Sequence, residues 1–325
     1  MWQFLAKGAV SALLVWLLLR NVDFGDVLHR ILAADRDQLL IAALLLWILS
    51  VPSALRWSTI LGAMGYAVRL RILFPLVLIG LFFSITLPST IGGDAVRMWK
   101  IHRVGLSGTA AVVSVMIDRL VALLAILFLV LVSVPAFYGL VPDRAARGGV
   151  LLLLGGGFLA YATAMVLDRL PLAFSRSRIL RGLAQLSADL RRVLLAPRTA
   201  APALLYSLLN QGGVVGVVGF LAHGLGISVG WLQCLVIVPL AILVTVLPIS
   251  IAGWGVRETA FVAGFGFAGV PQADAFALSL MFGLLNTLVC LPGGLVWLAA
   301  GERRLGARPS ENLRSSNPRP TASGK

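Results

Sequence analysis

Asp118 and Arg119 stand side by side about a dozen residues into an apolar segment that continues from Leu120 to Pro142 without another charge. At ~1.5 Å per helical residue they lie deep inside it. In hydrocarbon each such charge costs roughly 2.5–3.5 kcal/mol unless it faces a counter-ion or a wet cavity. Neighbouring helical positions point about 100° apart, so the two need different partners. Asp118 is expected to pair with Arg97 or Arg257, and Arg119 with Asp94 or Glu258. Such pairs either clamp helices together or present a guanidinium to a ligand, because the planar fork of arginine matches phosphate oxygens bidentately. An arginine at a segment end also has a plainer use, reaching to the membrane surface or pairing with an acid.

Arg97 and Arg257 occupy equivalent places in an internal repeat. The run Leu87-Pro-Ser-Thr-Ile-Gly-Gly-Asp-Ala-Val-Arg97 aligns without gaps, at an offset of 160, with Leu247-Pro-Ile-Ser-Ile-Ala-Gly-Trp-Gly-Val-Arg257, and six of the eleven positions are identical. Pro88 and Pro248 each lack a donor and fix φ, while Gly92, Gly93, Gly253 and Gly255 admit backbone shapes other residues avoid. With Ser89, Thr90 and Ser250 between them, these residues read as a broken-helix motif at the end of an apolar segment. Broken backbone at membrane depth is tolerated only when buried in protein or lining a wet cavity, and paired broken helices point to a transporter's substrate site. The alternative is a pair of tight loops between full-length helices.

The elements that must position these residues are apolar. Of 325 residues 59% are hydrophobic and 12% charged, with mean hydropathy +0.96, whereas soluble domains carry about a quarter charged residues. The 58 positions from Thr199 to Val256 hold no Asp, Glu, Lys or Arg, far more than the ~20 needed for one crossing. The composition predicts an all-α polytopic membrane protein of eight or so apolar helices. Full crossings are expected at 4–19, 39–55, 106–137, 149–167, 199–222 and 275–300, with re-entrant hairpins at 72–104 and 231–270. This gives one membrane domain over 1–300, with repeat halves of about 1–148 and 149–300. The first segment follows Lys7 like a signal peptide but lacks a small-x-small cleavage site, so it is expected to be retained.

Under that topology twenty basic residues fall on one side, Arg56, Arg97 and Lys100 among them, and six on the other, with Arg119 left in the membrane. The positive-inside rule then puts both termini in the cytoplasm, in a cytoplasmic (inner) membrane, with the hairpins entering from opposite faces. Within 168–198, Ile179, Leu183, Leu186, Leu190 and Val193 alternate at spacings of four and three against arginines. That pattern predicts an amphipathic helix lying in the cytoplasmic interface or serving as a solvated connector. The tail, 301–325, is basic and poor in apolar residues, so it is expected to be disordered.

The net charge of +14 fits orientation and anionic headgroups, not nucleic acid. Cys234 and Cys290 lack paired spacing, and His29, His102 and His223 are scattered, so no metal or cofactor signature is present. No nucleotide-binding, nucleophile-elbow or zinc-protease motif occurs, and Asp94 with His102 is a weak catalytic pair.

At Pro88–Asp94 with Arg97, at Asp118-Arg119-Leu120, and at Pro248–Glu258 the chain resembles the flippase-like family that includes the N-terminal membrane domain of lysylphosphatidylglycerol synthase/flippases. The likeness extends to about residue 300. It implies a helical membrane domain that translocates or presents a lipid, non-enzymatic by itself, since no aminoacyl-transferase domain follows in this sequence. The expected partner is a lipid with an anionic headgroup (phospholipid, glycolipid or polyprenyl-linked), handled by Arg97, Arg257, Asp118, Arg119, Asp94 and Glu258. Movement would run downhill or be coupled to an ion gradient through Asp118 or Glu258. Two alternatives are a non-transporting scaffold for a separate lipid-modifying synthase and a membrane-embedded lipid-modifying enzyme.

Overall fold

The computed structural model describes residues 25, 30–87, 92–169, 178–246, 255–304 and 314–315. The expected first crossing at 4–19 lies outside these residues, as do Pro88, Ser89, Thr90, Pro248, Ser250 and Gly253. The described chain is helical almost throughout. In order come α1 (Arg36–Ile48), α2 (Ser50–Ala63), α3 (Leu70–Thr86), α4 (Gly92–Val104), α5 (Gly108–Leu140), α6 (Arg144–Val166), α7 (Arg178–Leu195), α8 (Pro197–Gly224), α9 (Trp231–Val246), α10 (Val256–Phe267) and α11 (Gln272–Arg304).

Local chemistry sets the starts and stops. Asp35, Ser107 and Asp143 accept from backbone N–H groups in the first turns of α1, α5 and α6, satisfying donors a helix start leaves open. Pro197 opens α8, where its missing N–H is not needed. Gly105, at φ 124°, turns the chain sharply between α4 and α5.

Five stretches are long and apolar enough to cross a membrane: Arg36–Ala63, Gly108–Leu140, Arg144–Arg169, Pro197–Gly224 and Gln272–Ala299. They coincide with five of the six expected crossings. The shorter apolar helices, Leu70–Thr86 and Trp231–Val246, fall where hairpins are expected; α3 packs on α4 and α9 on α10. Asp118-Arg119 does not interrupt its segment, because α5 runs through both as one helix of 33 residues. The 39–55 segment is also longer than its apolar stretch suggests, since α1 and α2 together continue to Ala63 and carry Arg56 inside.

The elements recur at the spacing of the motif. Moving α1 and α2 along by about 160 residues gives α8, and likewise α3 gives α9, α4 gives α10 and α5 gives α11. Their packing is reciprocal: α3 lies against α11 and α9 against α5. Small residues permit the close approaches, as membrane helices require. A Cβ on Gly293 of α11 would sit 2.1 Å from the Leu78 carbonyl oxygen of α3. Among the described residues the recurring helices lie within 36–140 and 197–304, with α6 and α7 between them.

The amphipathic pattern at 168–198 resolves as α7, docked on the bundle instead of lying free. Leu186, Leu190 and Val193 are buried with Ile60, Val113, Ile117, Val121, Tyr161 and Ala203, and Arg191 is ion-paired with Asp168 at the end of the α6 span. In the tail, expected to be unstructured, Arg314–Ser315 pairs antiparallel with Tyr66–Ala67.

Candidate functional site

The buried charges converge between α2, α4 and α5. Asp118, on α5, is almost fully buried and holds two guanidiniums. Arg56 Nε of α2 donates to its Oδ1 at 2.7 Å, and Arg97 Nη1 and Nη2 of α4 both donate to its Oδ2 at 3.1 Å. Arg119, one residue on, turns away as helical geometry demands and grips Asp94 bidentately, Nε to Oδ2 at 2.7 Å and Nη2 to Oδ1 at 2.8 Å. Arg97 Nη1 also lies 3.6 Å from Asp94 Oδ1. Three arginines and two aspartates thus form one network with a net positive charge of one.

The network is fitted into its surroundings. The Arg97 guanidinium lies 4.2 Å from the centroid of Trp57, a cation–π contact that is stronger away from water. Its stem crosses Gly80 of α3, where a Cβ would meet Arg97 Cγ and Cδ at 2.6 Å. Gly93 serves the same junction, because a Cβ there would lie 2.1 Å from the Gly80 carbonyl oxygen and 2.0 Å from Ser84 Oγ. Gly93 of the first motif is thereby explained by close packing of α4 on α3.

A cavity of about 220 Å³ opens on this network, lined by Arg56, Asp94, Arg97, Asp118 and Arg119 together with serines, amides and apolar side chains. Of the five charged groups Arg119 is the one that opens outward: its side chain is 55% exposed, against 10% or less for the other four. Its Nη1 has no partner among the described residues. The arrangement can hold an anion at Arg119 while the interior charges keep one another neutralised.

The structure separates the expected residues into two groups. Asp94, Arg97, Asp118 and Arg119 come together, with Asp118 on Arg97 and Arg119 on Asp94. Arg257 and Glu258 do not line this cavity. Arg257 Nη2 donates to Glu258 Oε1 at 2.5 Å and its Nε to Ser279 Oγ of α11 at 3.3 Å, while Glu258 Oε2 accepts from Gly255 N at 2.6 Å. The repeat explains the asymmetry. Shifting Arg56, Asp94, Asp118 and Arg119 by 160 gives Gly216, Trp254, Leu278 and Ser279, so the second unit has the motif arginine but no acid at the positions that hold Arg97.

Arg56 is the site residue that sequence reasoning misplaces, as a loop charge beyond the 39–55 segment. The signal was available in Ile60 and Leu61, which resume the apolar pattern. Lys100, counted among the basic residues of one membrane side, is buried on α4 with its ammonium 4.9 Å from the ring centroid of Trp99. Among the described residues no group of three His, Cys, Asp or Glu side chains is placed to hold a metal ion.

Residues 4–294 match the family model described as "Lysylphosphatidylglycerol synthase TM region". The chain is also similar to a UPF0104 membrane protein of Methanocaldococcus jannaschii, 21% identical over 311 residues that cover 86% of this chain and 89% of that protein.

Proposed function

The chain belongs to the lysylphosphatidylglycerol synthase TM region family, as a multi-pass membrane protein, and from that premise we propose that it moves an anionic lipid across the cytoplasmic membrane by way of the charged cavity. One observation carries this reading: an arginine that is half exposed at the mouth of a cavity whose interior charges are already paired. Ion pairs taken out of water contribute little net stability, so the buried part of the network is weak support for a clamp alone, and the exposed guanidinium is left to be explained.

The physical task is to lower the cost of taking a phosphate through hydrocarbon. A charge there is expensive because nothing replaces its water shell. Arg119 offers a guanidinium to the phosphate oxygens, and Arg97 and Arg56 lie behind it as further cations. The acyl chains stay in lipid beside α3, α5 and α11. Both termini are cytoplasmic in this reading, and the basic surplus supports it. With Arg56, Arg97, Lys100 and Arg257 removed from the count because they lie within the fold, the remaining basic residues still divide seventeen to five.

The test is a leaflet assay in proteoliposomes carrying a fluorescent anionic phospholipid, comparing the wild type with Arg119→Gln. Movement is expected to fall about tenfold or more, the effect of losing one charge-assisted contact of about 1.4 kcal/mol or more. Arg119→Gln leaves the buried Asp94 with only Arg97 at 3.6 Å, so the melting temperature is expected to fall, and movement is compared on protein that elutes as the wild type does. Wild-type movement no faster than in protein-free vesicles contradicts the proposal.

A further inference from the structure

Neutral polar groups line the cavity together with the arginines, and their hydrogen bonds decide what they still offer. Asn210 of α8 donates through Nδ2 to the Leu49 carbonyl and to Ser53 Oγ, both at 2.9 Å. The carbonyl partner fixes the orientation of the amide, since only the NH2 group can donate to it. Oδ1, an acceptor without a partner among the described residues, remains for the cavity. Ser50, Ser53 and Ser84 have likewise given their hydroxyl protons to the carbonyls of Trp47, Leu49 and Gly80, which leaves their lone pairs as acceptors. Gln211 and Asn286 add two amides with no partner among the described residues.

The cavity therefore offers two kinds of group: cationic donors, and neutral acceptors beside them. The carboxylates that line it, Asp94 and Asp118, are both held by guanidiniums. We infer that the cavity selects a phosphodiester headgroup bearing free hydroxyls, of the glycerol or sugar kind, and rejects headgroups that carry an ammonium. The phosphate takes the arginines and the hydroxyl protons take Asn210 Oδ1 and the serines. A cationic headgroup finds no free carboxylate, and a second positive charge beside a network already positive by one is unfavourable in a medium of low dielectric.

This inference rests on the lipid-headgroup reading above, and the experiment separates the two. The full chain is reconstituted in phosphatidylcholine vesicles with one of three fluorescent probes that share acyl chains: phosphatidylglycerol, phosphatidylmethanol, which lacks the hydroxyls, or lysyl-phosphatidylglycerol, which adds cationic charge. Phosphatidylglycerol is expected to move about tenfold faster than either of the others. Asn210→Leu should bring phosphatidylglycerol down to the phosphatidylmethanol rate. Asn286→Asp supplies a carboxylate without breaking a bond present in the structure, and should raise lysyl-phosphatidylglycerol movement about tenfold, so the inference remains testable even if Asn210→Leu fails to fold. Equal or faster movement of the lysyl lipid in the wild type overturns the selectivity and leaves lipid movement standing. No movement of any probe overturns both.

Discussion

Asp118 is the residue on which the site is assembled. It sits about 9 Å from the midpoint of α5, counted at 1.5 Å per residue, and accepts from Arg56 on one oxygen and Arg97 on the other. Removing its charge while keeping its shape leaves two buried cations facing each other, a loss of the kind that costs about 3–5 kcal/mol. Asp118→Asn should therefore lower the melting temperature in detergent sharply, and an unchanged melting curve would show that the arginines find other anions. Two of the pairings were legible in the sequence, because the 100° step between Asp118 and Arg119 forces separate partners and Arg97 and Asp94 were at hand. Arg56 was not, since an arginine just past an apolar run looks like a membrane boundary. Asn210 and Ser207, the latter accepting from Arg56 Nη1 at 3.4 Å, come from α8, 151 or more residues away in the chain, a separation that periodicity does not bridge.

At the scale of elements, the two helical hairpins share a sequence motif and a place in the fold, yet they carry different chemistry. In α3–α4 Gly93 lets α4 approach α3 and Gly80 leaves room for the Arg97 stem on its way to Asp118; in α9–α10 Arg257 turns to its neighbour Glu258. The motif made the hairpins legible, and the absence of acids at the shifted positions explains why a symmetric two-arginine site does not follow from it. The proposed opposite entry of the hairpins makes a direct prediction. A cysteine at Arg69, exposed before α3, should react with an impermeant maleimide from the cytoplasmic side, and one at Gly230, exposed before α9, from the other side. Cys234 and Cys290 are buried and give little background. Labelling of both positions from the same side contradicts the inverted arrangement.

For the whole molecule, reciprocal packing of α3 on α11 and α9 on α5 ties each hairpin to the long helix of the other unit. Motion of one unit must then be felt at the far hairpin, which suits a site loaded from one face and emptied at the other. An almost wholly apolar pocket of about 240 Å³ lies between α5, α6, α9 and α10, in contrast to the charged cavity beside α2, α4 and α5. Composition made the helical membrane fold plain, and the repeat indicated where its symmetry lies. The docking of α7 was half visible: its apolar stripe was regular, but a stripe does not say whether lipid or protein will cover it.

The claim that the charged cavity handles a headgroup, and is more than a clamp, is tested most directly by exchanging the charges of one pair, Asp94→Arg with Arg119→Asp. The exchange keeps the ion pair and the net charge but moves the guanidinium from the exposed mouth to the buried side. The measurement is lipid movement in proteoliposomes beside melting temperature in detergent. The account predicts stability well above that of either single variant, with movement still abolished. Movement restored together with stability would contradict it and leave the network a clamp.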